Sequence, residues 1–217
     1  MRRALVMAIA VGCLGLPAGA GAVTFSNPAP LGPADNAPLP PYPSFISVGG
    51  QQGTITSVTA TLVGVTGAEV RQLDALLVGP GGRSMLISDA CSNAVIPDWT
   101  GTTVTLDDRV GTTFSDPCPV GSPSGTFRPM DFAPVDNFPG VPPPYPVSLA
   151  AFNGRSPNGI WSLYVVDDST GDNLSIAGGW RLDLTTTAVP AKKKKKCKRK
   201  AKKRSAAPAK KRCKKRK

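Results

Sequence analysis

The chain has 217 residues and no histidine, with 26 Lys and Arg against 14 Asp and Glu. The missing imidazole excludes Ser-His-Asp and Cys-His nucleophile activation, and histidine-based zinc or iron centres with them. The formal charge of +12 averages two unlike parts: 18 of the basic residues crowd positions 192–217, no lysine precedes Lys192, and six arginines face all 14 acids between residues 23 and 191.

The chain opens Met1-Arg2-Arg3, runs apolar from Ala4 to Leu16, and then reads Pro17-Ala18-Gly19-Ala20-Gly21-Ala22. A short charged region, an apolar stretch too brief to span a bilayer and an A-x-A site define a secretory signal peptide over residues 1–22. The mature protein is expected to start near Val23 and to be secreted, extracellular or held at the cell surface. Lipid attachment would need Cys13, and Ala10-Val11-Gly12 before it makes a poor lipobox. No later run reaches the ~18 apolar residues of a membrane span.

Residues 23–53 read as an N-terminal strand and a proline-rich segment, since Pro28–Pro43 is too proline-dense for a central strand. Residues 54–187 hold short β-rich runs separated by turn residues. In Ser57–Leu62, Val58, Ala60 and Leu62 alternate with polar residues. In Ile160–Val166, Trp161, Leu163 and Val165 share one face and Ser162 and Tyr164 the other. Trp180, Leu182 and Leu184 alternate with Arg181, Asp183 and Thr185. Period two marks strands with one buried face. Further strands are expected at Leu73–Val78, Ser84–Ser88, Val104–Asp107 and Val147–Ala151. Pro139–Pro146 reads as an ordered crossover loop, with a polyproline recognition motif as the alternative. The expected class is all-β, an antiparallel β-sandwich.

Catalysis finds little support in these residues. A Ser-Lys dyad would need a lysine within the fold, and Glu69 is the sole glutamate. Asp168-Ser169-Thr170-Gly171 has one residue too many for an aspartic-protease motif. The pairs Asp107-Asp108 and Asp167-Asp168 are neighbours on extended chain, so their side chains should diverge rather than flank a glycosidic bond. No catalytic residue is expected.

Phe152–Leu184 reads FNGRSPNGIWSLYVVDDSTGDNLSIAGGWRLDL. It resembles the C-terminal half of the P domain (P/Homo B) that follows the catalytic domain of subtilisin-like proprotein convertases. The shared pattern runs through Phe152, Gly154, Asn158, Gly159, Trp161, Leu163, Val165, Asp167, Gly171, Asp172, Trp180 and Leu182. Upstream, Asp74, Leu76, Pro80 and Gly82 fit the family's Asp-containing strand and Pro-x-Gly turn, and with Leu106–Asp108 the likeness covers most of 54–187. Leu174 stands where the family has glycine, and the histidines usual in the upstream strand are absent. The resemblance implies a galactose-binding-like jelly roll that packs on a protease and supports its folding without adding catalytic residues. This chain carries no Asp, His and Ser protease motifs before residue 54. A partner protease would be a separate secreted protein; a carbohydrate- or protein-binding role through the sandwich loops is the other reading of the body.

Asp167, Asp168 and Asp172, with Asn173, cluster hard oxygens of the kind calcium takes, or else cap turns. The basic residues Lys192, Lys193, Lys194, Lys195, Lys196, Lys198, Arg199, Lys200, Lys202, Lys203, Arg204, Lys210, Lys211, Arg212, Lys214, Lys215, Arg216 and Lys217 belong to a segment, 188–217, with almost nothing apolar. Such a segment is expected to stay disordered in isolation and to bind dense anionic polymer: a cell-wall or envelope polyanion, or extracellular nucleic acid. Of the cysteines, Cys197 and Cys213 lie in this tail and could bridge within or between chains. Cys91 and Cys118 stand as an isolated pair in the body, and in an exported protein such a pair suggests a disulfide worth about 3 kcal/mol. Peptide mapping of the secreted protein without reductant should yield a cross-linked Cys91–Cys118 fragment; recovery of both as alkylated thiols would disprove the bond.

Overall fold

A computed structural model describes residues 21–67, 70–89, 98–114, 124–132 and 136–187. Among the described residues eleven strands form two sheets: β1 (Ala22–Asn27), β2 (Leu31–Ala34), β3 (Ser44–Val48), β4 (Ile55–Gly67), β5 (Leu73–Gly79), β6 (Gly82–Ile87), β7 (Trp99–Leu106), β8 (Gly125–Phe127), β9 (Gly159–Asp167), β10 (Leu174–Ile176) and β11 (Trp180–Thr186). The sheets pack as a β-sandwich. Every pairing is antiparallel except that of β7 with β8, which is parallel.

The longest strand, β4, organises the larger sheet. Its first half pairs with β11, its second half with β10, and its other edge with β7. β1 extends the sheet beyond β11, β2 beyond β10, and β8 beyond β7. The smaller sheet has the order β3-β9-β5-β6. Residues 23–53 are therefore built into both sheets. Pro33 is accommodated because β2 is an edge strand, where a missing N–H leaves no ladder bond unmade.

The apolar rows seen in the sequence meet between the sheets. Val58, Ala60 and Leu62 of β4 and Trp180, Leu182 and Leu184 of β11 face Trp161, Leu163 and Val165 of β9, all buried. The indoles of Trp161 and Trp180 are anchored by their polar edges. Trp161 Nε1 donates to the Pro157 carbonyl at 3.0 Å, and Trp180 Nε1 donates to Ser44 Oγ, also at 3.0 Å. Ser44 accepts as well from Asn27 Nδ2, so a single hydroxyl ties β1, β3 and β11 together across the two sheets.

A second, smaller core lies on the outer side of β5 and β9, where Leu76, Met85 and Val166 meet Phe138 and Val141. The proline-rich 139–146 stretch forms this cover. Tyr145 donates its hydroxyl to the Val141 carbonyl at 2.6 Å and packs edge-on against Phe138, and Met85 N–H bonds the Pro146 carbonyl.

One expected strand is absent. Leu149–Phe152 is a 3-10 turn, not extended chain. Ser148 caps it, its Oγ accepting from Ala150 N–H, and the Asp108 carboxylate accepts from both Ser148 Oγ and Ala150 N–H. Capping bonds to a distant carboxylate outweigh the β-propensity of Val147–Ala151. Among the described residues no helix is long and apolar enough to cross a membrane.

Gly79 ends β5 against the Trp161 ring: a Cβ there would fall 2.5 Å from Trp161 Cε3. The ring cannot retreat, because Phe152 packs on it at 4.8 Å between centroids. Gly79→Ala should cost ~1–3 kcal/mol of overpacking. Gly111→Ala, where nothing lies within 4 Å, should stay within ~1 kcal/mol of the parent. Urea denaturation measures both, and equal stability of the two variants would contradict the packing.

Candidate functional site

Alternation along β9 decides where its two terminal acids go. Asp167 continues the inward row of Trp161, Leu163 and Val165, and it is fully buried at the mouth of the sandwich. Asp168 follows the outward row of Ser162, Tyr164 and Val166. Asp74, second residue of β5, pairs with Val166 and so shares that outer face. The end of β9 thus separates two groups of carboxylates.

The outer group gathers Asp74, Asp89, Asp136 and Asp168. Asp74 is 2% exposed, and its Oδ1 accepts from Asp89 N–H at 3.3 Å. Burial first, then the charges of Asp136, Asp168 and Asp89, push its carboxyl up to about 9. Burial and the neighbouring Asp168 and Asp136 raise Asp89 to about 6, against the pull of Arg71. Asp136 and Asp168 are raised as well, in both cases chiefly by burial. Arg71, in the middle of the 3-10 turn that leads into β5, opposes the rise at Asp168.

The inner group is Asp35, Asp167 and Asp172. Asp167 Oδ1 accepts from Asn36 N–H at 3.3 Å and Ser169 N–H at 3.2 Å, and Asp167 N–H bonds the Ala37 carbonyl. Asp35 Oδ1 accepts from Gly171 N–H at 3.1 Å. The turn after β2 and the turn after β9 are cross-tied by these carboxylates. Burial, then the charges of Asp172 and Asp35, raise the Asp167 carboxyl despite its two backbone donors.

Of the three aspartates read as a calcium cluster, the structure brings Asp167 and Asp172 together and places Asp168 with Asp74 and Asp89. Among the described residues no three acidic or cysteine side chains form a ready-made metal cage. The other aspartate pair also divides. Arg109 forks onto the Asp107 carboxylate, with Nη2 2.7 Å from Oδ2, and these bonds hold Asp107 below the usual carboxylate range. Asp108 instead caps the 3-10 turn. Beside them lies a concavity of about 100 Å³ lined by Thr56, Asp107, Asp108, Arg109, Leu149 and Asn153, among others. That is well below the ~300 Å³ at which small-molecule sites begin. Cys91, Cys118 and the eighteen basic residues from Lys192 onward lie outside the described residues.

Sequence reasoning missed Asp35, Asp89 and Asp136. Their meeting depends on pairings between distant strands. Asp74 did carry a signal: a lone acid in the apolar strand Leu-Asp-Ala-Leu-Leu-Val. Comparison with family models, curated proteins and solved structures finds no match to this chain.

The outer group predicts a sign for the pH response. Between the unfolded carboxyl range near 4 and about 9, folded Asp74 keeps a proton that the unfolded chain has released. The folded state therefore binds more protons, and stability should fall as pH rises through that window. Asp89 adds a slope of the same sign up to about 6. Asp74→Asn, which mimics the protonated acid, should narrow the drop in Tm between pH 5 and pH 9. A variant as pH-sensitive as the parent would contradict the assignment.

Proposed function

We propose that this protein is a secreted, non-catalytic module: a P-domain-like, galactose-binding-like sandwich that is held at an anionic surface by its basic C-terminal segment. The observation that carries the reading is the segregation of charge. All lysines stand in the last 26 positions, while residues 23–191 have six arginines against 14 acids. A segment dense in Lys and Arg binds polyanions by releasing their condensed counterions, whatever the polymer's sequence. Aromatic residues are absent from 191–217, so base stacking adds nothing and single strands gain no preference. The acidic sandwich should be repelled by the same polymers, which leaves adhesion to the segment alone. The partner is a cell-wall or envelope polyanion, or extracellular nucleic acid.

A second reading rests on the motif likeness. The sandwich would support a separate subtilisin-like protease or another protein partner, or take carbohydrate through its loops. The absence of histidine and of any lysine in the body argues against an activity of its own. The divided aspartate pairs argue the same way.

The sandwich is a compact unit by itself, so residues 23–190 can be compared with residues 23–217 on duplex DNA, heparin and anionic wall polymer across a salt series. If about eight charges engage DNA, log affinity should fall against log salt with a slope of roughly −7. Removal of the last 27 residues should abolish binding. Equal binding by both forms, or indifference to salt, would refute the adhesive role; a protein partner retained without the segment would favour the second reading.

A further inference from the structure

The inner acidic group contains oxygens that nothing in the fold satisfies. Asp167 is fully buried, its Oδ1 takes two backbone N–H groups, and its Oδ2 has no donor. Both carboxylate oxygens of Asp172 are likewise buried without a donor. Three acceptor atoms on two neighbouring like-charged groups are left bare. A buried carboxylate without a partner is among the costliest arrangements a fold can hold. Backbone rearrangement offers no relief, because the Asp167 N–H is committed to the Ala37 carbonyl and the Gly171 N–H to Asp35.

Water, a shared proton or a divalent cation could satisfy these atoms, but water leaves the repulsion between the two carboxylates in place. A shared proton supplies one donor and leaves at least one oxygen bare. A divalent cation satisfies all three at once and cancels the repulsion between Asp167 and Asp172. We propose that Asp167 and Asp172 form a divalent-cation site of the calcium class, with Asp35 as an outer carboxylate linked to it through Gly171, and that Asp168 is no part of it. Two carboxylates do not complete a shell. Calcium takes six to eight oxygens in flexible geometry and accepts backbone carbonyls and water for the remainder, whereas magnesium demands a near-ideal octahedron. The turn after β9 is rich in such oxygens and has no rigid cage, which favours the larger ion.

The consequence would be mechanical. Asp167 ends β9 in the smaller sheet, whereas Asp35 follows β2 and Asp172 precedes β10, both in the larger sheet. A cation bound there clamps the two sheets at their open mouth.

Calcium chloride added to the full mature chain, after chelation, should raise Tm by about 5–10 °C at a concentration ~100-fold above its Kd. Isothermal titration should report one site, with magnesium markedly weaker. Asp172→Asn should abolish the calcium response while the protein stays folded, and Asp168→Asn should retain it. No calcium-dependent rise in the parent, combined with a higher Tm for Asp172→Asn in chelator, would overturn the proposal in favour of a shared proton. Loss of the response in Asp168→Asn but not in Asp172→Asn would also overturn it, by moving the ion to the outer group.

Discussion

The register of β9 is the constraint on which the sandwich depends. Its inward row of Trp161, Leu163 and Val165 is wholly buried, and the same parity ends at Asp167. A slip of one residue would turn Trp161 into water and bring Tyr164 and Asp168 between the sheets. Core packing and the placement of the acids are therefore a single choice. Gly79 and Phe152 hold the indole from two sides, and the Pro157 carbonyl fixes its polar edge. Once Trp161 is seated, the strand has no freedom left, and Asp167 must sit at the mouth whether or not its charge is welcome there.

The outer face of the same strand obeys a different logic. Tyr164, Leu76 and Val166 would be an exposed apolar patch without the cover formed by Phe138, Val141 and Tyr145. Proline suits this cover, because the segment makes few ladder bonds and its rings add apolar surface at little conformational cost. Asp74 lies on this same outer face, and burial is the main reason its carboxyl holds a proton. Hydrophobic burial on one side of the sheet is thus converted into an acid–base property at its end.

Much of the sandwich was legible in the sequence because alternation is a local signal. Six of the seven expected runs are strands, and in β4, β9 and β11 the buried rows are those that period two selects. The failure at Val147–Ala151 has a non-local cause: the cap from Asp108 lies 40 residues or more away. β2, β3, β8 and β10 escaped notice, three of them because three or four residues, one of them a proline in β2, carry too little pattern. The acidic site was half visible. Asp167 and Asp172 could be picked out from one turn, and extended-chain alternation already separated Asp167 from Asp168. Asp35 could not be found, since its bond to Gly171 spans 136 positions of chain. No local pattern reports such a contact.

The pairing of β4 gives the body a direction. Thr186 lies beside Ile55 at one end of that strand, where Thr187 N–H also bonds the Thr54 carbonyl, and Ser175 lies beside Thr66 at the other. Thirteen residues of extended strand separate these ends, about 40 Å. Thr187 lies at the first end, near Ala22 of β1, which pairs with Thr185. The aspartate-bearing turns sit at the second. The turns that carry Asp35, Asp167 and Asp172 therefore lie nearly a full strand length from Ala22 and Thr187.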